Sequence, residues 1–218
     1  MSGATELLDP AIAERVIARA LANGGEFAEV FAERRSGLTL AIDESRIESV
    51  QTGAEEGAGV RVLSGGTTYF AHVDGLDPAD IERAAGEAAA ALRGDRAEPR
   101  PLSARQVSPQ PIERPPGDVP AARKAELLRE LDERARSAGG EIAQAMASYG
   151  EARREVAVAN STGLFSGDDR TRVRIGAQVV ARRRRRLAQT SPKPPSLSTR
   201  LRSAKKRSRA ASSRCLTT

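Results

Sequence analysis

Hydrophobic and polar positions alternate along this chain with two different periods, and each change of period marks a new element. Asp9 followed by Pro10 has the form of an N-cap with proline at the first helical position. Ile12, Val16, Ile17, Ala20 and Leu21 then recur at helical spacing until Asn23, Gly24 and Gly25 stop the run, which predicts a helix. From Phe27 the period falls to two. Phe27, Glu29 and Phe31 alternate with Ala28, Val30 and Ala32, and after Ser36 and Gly37 the pattern resumes with Leu38, Leu40 and Ile42, predicting two strands and a turn. Asp43, Glu44 and Ser45 predict a second turn, into residues 46–51. The run GAGVRVL at 57–63 predicts a strand, and Gly65 and Gly66 supply the positive φ angles of a hairpin turn into residues 67–73.

Asp77 and Pro78 start a second helix by the same capping logic, with Ile81, Ala84, Ala85, Ala88 and Leu92 on one face and an end near Gly94. Seven prolines fall within residues 98–120, which predicts an extended linker. A third helix is predicted over 121–138, with Leu127, Leu128 and Leu131 inward and Gly139 and Gly140 past its end. Three strands are predicted after it, at 141–148, 153–159 and 172–181, with Asn160, Ser161, Thr162 and Gly163 turning after the second and Leu164 and Phe165 returning. In the last, Val173, Ile175, Ala177 and Val179 alternate up to the five arginines at 182–186. The fold class expected is α+β, with helices packed on antiparallel sheet and a disordered basic C-terminal tail. The expected organisation is an α+β unit at 1–97, a Pro-rich linker at 98–120, a helix with antiparallel strands continuing the fold incompletely at 121–181, and the tail at 182–218.

Charge divides the chain more sharply than hydropathy does. All 29 Asp and Glu lie at or before Asp169, and residues 170–218 hold 16 of the 35 Lys and Arg. The first 169 residues carry 19 basic against 29 acidic groups, a formal charge of −10, so the overall +6 describes neither part. With no Trp, two Tyr and four Phe the core must be aliphatic, and stacking of aromatics on nucleic-acid bases is not expected. A lone cysteine, Cys215, excludes an internal disulfide and suits a reducing compartment. Residues 1–25 lack the basic start and apolar centre of a secretory signal, and no run of about 18 apolar residues is present; a soluble, cytoplasmic protein is expected.

Two blocks carry a resemblance. RIESVQTGAEEGAGVRVLSGGTTYFAHVDGLDPADIERAA at 46–85 resembles the N-terminal region of the TldD/PmbA family of zinc metallopeptidases. REVAVANSTGLFSGDDRTRVRIGAQVVA at 154–181 is similar to the segment just before that family's catalytic half. Together with the third helix they match in order and spacing over roughly residues 5–181, and EEGAGVRVLSGG followed by an aromatic strand is closer to the TldD-type branch. The resemblance implies a cytoplasmic peptidase of unfolded peptides that works with a PmbA-like or self partner subunit. It also implies zinc held by an HExxxH motif with a thiol ligand downstream. Neither can be written here, because the only histidine is His72 and the only sulfur ligand is Cys215. A hydrolytic zinc centre needs about three protein ligands. The expectation is therefore a TldD-type N-terminal portion, truncated before the zinc domain, with no catalytic, cofactor-binding or metal-binding residues and no activity alone.

The remaining polar residues fit structural roles better than chemical ones. His72 reads as a strand residue beside a hairpin, Asp43, Glu44, Asp74 and Asp77 as turn and cap residues, and Asp168 and Asp169 as a loop pair before a strand. Gly57, Gly59, Gly65 and Gly66 do not lead into a helix N-terminus, so they are strand and turn glycines and no phosphate cradle. Ser161 and Thr162 have no partner base. The tail from Arg182, rich in Arg, Ser, Pro and Thr, reads first as out-of-frame translation of a high-GC gene, otherwise as a solvated tail or a basic arm. Its 13 basic groups would bind nucleic acid only non-specifically, and the alternative function is a small α+β protein with an Arg-rich arm binding nucleic acid. An open strand edge could also add an extended peptide as an extra strand.

Overall fold

The computed structural model describes residues 7–105, 112–139 and 141–182. Its elements, in chain order, are α1 (Pro10–Ala20), β1 (Phe27–Asp43), β2 (Arg46–Ser64), β3 (Thr67–Asp74), α2 (Pro78–Ala90), β4 (Ser103–Arg105), a 3₁₀ turn (Pro116–Asp118), α3 (Ala121–Ser137), β5 (Glu141–Asn160) and β6 (Leu164–Arg182). The strands form one six-stranded sheet of order β3-β2-β1-β5-β6-β4, antiparallel except where β4 joins β6. The α+β class is as expected. Residues 1–97 and 121–181 share this sheet, because β1 pairs along most of its length with β5. The tail expectation lies outside the described residues apart from Arg182.

Both capped helices form as their sequences dictate. Asp9 accepts hydrogen bonds from the backbone N–H of Ala11 and Ile12, and Asp77 from Ala79 and Asp80, each cap being worth about 1 kcal/mol. Val16, Ile17, Ala20 and Leu21 of the first helical segment and Ile81, Ala84, Ala85, Ala88 and Leu92 of the second are buried together against Val30, Val60 and Val62 of the sheet. The third helix corrects one expectation: Leu127 is among the exposed large hydrophobics, while Lys124, Leu128 and Asp132, four residues apart along one face, are buried.

The strands are longer than their hydrophobic runs. The turn expected at Ser36 and Gly37 is absent, and β1 continues through both, with Gly37 opposite Gly53 and Ala152. The segments 141–148 and 153–159 are likewise one strand, and Asp168 and Asp169 sit within β6, not in a loop. The reason is visible in the side chains that face the helices. Along β1 these read Ala28, Val30, Ala32, Arg34, Ser36, Leu38, Leu40 and Ile42; along β5 they read Ala159, Ala157, Glu155, Arg153, Glu151, Tyr149, Ala147 and Ala145. The period of two never breaks, but a polar belt interrupts its apolar content. The belt divides the aliphatic interior into one cluster under α1 and α2 and a second, formed by Leu38, Leu40, Ile42, Leu128, Ala147 and Tyr149, under α3. Among the described residues, no helix is long and apolar enough to cross a membrane.

Candidate functional site

Where the two clusters part, the helices leave the sheet uncovered and a cleft of about 740 Å³ opens. Its floor is the polar belt, with Ser36, Thr52, Arg153 and Asp169; one wall is the proline-rich segment from Pro115 to Pro120, and the other begins with Lys124 on α3. Gly37 is required in that floor for close approach, since a Cβ there would lie 2.8 Å from the carbonyl oxygen of Glu151 on the adjacent strand.

The wall is built around a largely buried carboxylate, Glu151, whose side chain is 13% exposed. Lys124 Nζ lies 2.8 Å from both Oε1 and Oε2 of Glu151, and Tyr149 donates its hydroxyl to Oε2 at 2.5 Å. Lys124 also stands over the Tyr149 ring, 5.7 Å from its centroid. Burial of Tyr149, followed by its hydrogen bond to Glu151 and that residue's charge, pushes the phenol well above its ordinary value, so it remains a proton donor. At the far side of the floor, Arg153 is bidentate to Asp169 at 3.1 and 2.8 Å and reaches Glu155 at 3.1 Å. Lys124, Glu151, Arg153 and Asp169 thus neutralise one another within the cleft. The arrangement can hold a ligand by shape and hydrogen bonding.

A second buried carboxylate fixes the outer end of the β1–β2 hairpin. Glu44 and Ser45 occupy the turn with φ of 46° and 64°, values that favour glycine or asparagine. Asp132 Oδ2 accepts from Ser45 Oγ at 2.6 Å and from Arg136 Nε at 3.0 Å, tying the turn to α3. Burial pushes the Asp132 carboxyl up, but the Ser45 hydroxyl and the Arg136 guanidinium outweigh it and hold the group below its ordinary value.

Apart from Asp169, which lines the floor, the residues weighed from sequence stand away from this cleft. His72 is in β3 on the helix-free face of the sheet, its ring stacked on Phe70 with centroids 6.0 Å apart. Asp77 caps α2, Asp43 accepts from Gln144 Nε2 at 3.2 and 3.1 Å, and Gly65 and Gly66 form their turn with φ of 55° and 76°. Asn160 accepts from the backbone N–H of Thr162 and Leu164, closing the turn that contains Ser161 and Thr162. A zinc centre does not fit: among the described residues no three His, Cys, Asp or Glu side chains are grouped to hold a metal ion. Sequence reasoning missed Lys124, Tyr149 and Glu151. The available signal was the spacing of Lys124, Leu128 and Asp132, which puts two charges on the face of α3 that carries the core leucine.

Two family models match the chain: PmbA/TldA metallopeptidase domain 1 over residues 28–92, and PmbA/TldA metallopeptidase central domain over residues 114–207. The comparison with curated proteins finds no match. Among solved structures, the chain is similar to a protein described as a modulator of DNA gyrase from Thermotoga maritima, with a TM-score of 0.64 and 15% identity over 79% of this chain and 40% of that one. A second protein so described, from Bacteroides thetaiotaomicron, gives 0.59 and 18% over 79% and 41%. TldE from Thermococcus kodakarensis gives 0.56 and 17% over 79% and 40%. At these identities the likeness is one of fold, and the chain spans about two fifths of the length of each.

Proposed function

The chain belongs to the PmbA/TldD metallopeptidase family through its first and central domains, and from that premise we propose that it is the non-catalytic N-terminal portion of a TldD-type peptidase. Its role is to shape the cavity that receives unfolded peptide and to pair with a PmbA-like or identical subunit in the cytoplasm; alone it hydrolyses nothing. The observation that carries this reading is the succession of the two domain matches along one continuous sheet. The cleft supports it, because Lys124, Glu151, Arg153 and Asp169 are committed to one another and a peptide would meet a shaped polar floor. Zinc, in this reading, is the property of a catalytic half that the described residues do not supply.

The assay is hydrolysis of a denatured, fluorescently labelled protein by the purified chain with added Zn²⁺. No turnover is expected, and a chelator should leave the melting temperature unchanged, since a metal bound to the native state would raise it. Turnover by the chain alone would overturn the reading. The segment from Arg182 is proposed to be out of frame, although the central-domain match runs on to residue 207 and weighs against a frame change that early. Sequencing the gene across codons 181–207 decides this: a second frame that reaches HExxxH supports it, and confirmation of the present frame with no such motif downstream refutes it.

A further inference from the structure

Among the described strands, β6 presents an open edge. β4 pairs with it only at Leu164, Phe165 and Ser166, so among the described strands residues 167–182 are bonded on one side alone, to β5. Long exposed edges template the addition of another strand, and proteins usually blunt them. This one is chemically two-sided. On the helix-free face Arg170, Arg172 and Arg174 follow one another at alternate positions, all exposed, and Arg172 and Arg174 have no ion-pair partner among the described residues. On the helix-bearing face Val173 and Ile175 are each 48% exposed and Val179 is 46% exposed.

The register explains why those aliphatic residues stay uncovered. Val50, Leu40, Tyr149 and Ile175 form one row across β2, β1, β5 and β6, and Leu38, Glu151 and Val173 lie in the next. α3 covers the middle of these rows, burying Leu40 and Tyr149, and leaves Val173 and Ile175 about half exposed. A further strand on the edge would extend each row by one residue and bury the outer flank of Ile175.

We propose that β6, around residues 170–179, takes up an extended strand of another polypeptide in which acidic residues alternate with aliphatic ones. Backbone groups supply the pairing. Carboxylates on one face of the incoming strand meet Arg172 and Arg174, and aliphatic side chains on its other face cover Val173, Ile175 and Val179. Charge complementarity selects this occupant. A second copy would bring the same arginines to the edge, and a nucleic acid would satisfy the arginines while leaving the aliphatic row and the open backbone unmet. The inference does not rest on the peptidase reading, since Arg172, Arg174 and Ile175 lie outside the cleft.

The test is fluorescence anisotropy of the full chain with labelled peptides of about ten residues at roughly 0.15 M salt, where exposed charges act only over about 8 Å. Alternating Glu/Val is compared with Glu/Ser and Lys/Val. The Glu/Val peptide should bind about tenfold more tightly than either control. The paired change Arg172→Glu and Arg174→Glu, on exposed side chains, should reverse the preference to Lys/Val, and Val173→Ser with Ile175→Ser should weaken Glu/Val about tenfold. Equal binding of Glu/Ser and Glu/Val would overturn the proposal, because attraction by the 13 basic groups of residues 182–218 would then suffice. A ranking unchanged by the charge reversal overturns it too. So does an oligonucleotide that binds more tightly than Glu/Val and is lost with the same arginines, or a dimer that the arginine changes convert to monomer without any peptide binding.

Discussion

Lys124 and Glu151 meet at 2.8 Å across 27 residues of sequence, with side chains only 5% and 13% exposed, and so clamp the first turn of α3 to the centre of β5. Taking two charges out of water is costly, and their attraction offsets that cost only while both are present.

Removal of one partner should therefore cost more than removal of both. Lys124→Met alone strands a largely buried carboxylate and is expected to lower unfolding stability by about 3 kcal/mol, as is Glu151→Leu alone; the double change should recover a large part of the loss. Urea unfolding midpoints of the four proteins test this. Small, additive single effects would mean that the pair is not coupled.

Tyr149 should make the alkaline limb of stability steeper. Its phenol is held above the ordinary value of 10.0 by burial and by Glu151, so its contribution is fully present below pH 10 and declines as pH rises toward the native-state value. Thermal melts from pH 8 to 11 should show a smaller loss for Tyr149→Phe than for the parent. In an absorbance titration Tyr149 should ionise above the ordinary value of 10.0.

Asp132 gives the opposite sign. Its native carboxyl lies below the unfolded value of 3.8, so the stability it lends is complete above about pH 4 and is lost as pH falls through the native value. Asp132→Asn should unfold more easily at neutral pH, releasing the hairpin turn at Ser45, and should show a flatter acid limb. Parallel acid titrations of the two proteins would reveal identical limbs if Asp132 contributed nothing.

Two strand glycines should respond unequally to alanine. Gly37→Ala places a methyl 2.8 Å from the Glu151 carbonyl oxygen, forcing β1 and β5 apart at a cost of about 1–3 kcal/mol. Gly53→Ala meets nothing within 4 Å and should be neutral or stabilising by up to about 1 kcal/mol through the unfolded chain. Melting temperatures of the two variants, with Gly37→Ala the lower, check the ranking.

Local signals carried much of this fold. The caps at Asp9 and Asp77, the glycine turn at Gly65 and Gly66, and the alternation in β1, β2 and β6 each depend on residues a few positions apart, and each is present in the structure. The strands run on through Ser36 and Gly37 and through Asp168 and Asp169, where inward Ser36 and Asp169 look like turn residues when nothing shows what lies above them.

By itself, then, the sequence determined where helix and strand occur and that the interior is aliphatic, since capping, backbone preference and side-chain period act within a few residues. Only the tertiary structure decided that Arg34, Ser36, Glu155 and Arg153 form one belt, that α1 and α2 separate from α3 above it, and that Lys124 reaches Glu151 while Ser45 reaches Asp132. Ser45 and Asp132 are 87 positions apart, and the belt pair Arg34 and Glu155 is farther apart still. These contacts exist because β1 and β5 pair in one register, which brings the polar middles of both strands to the same place on the sheet.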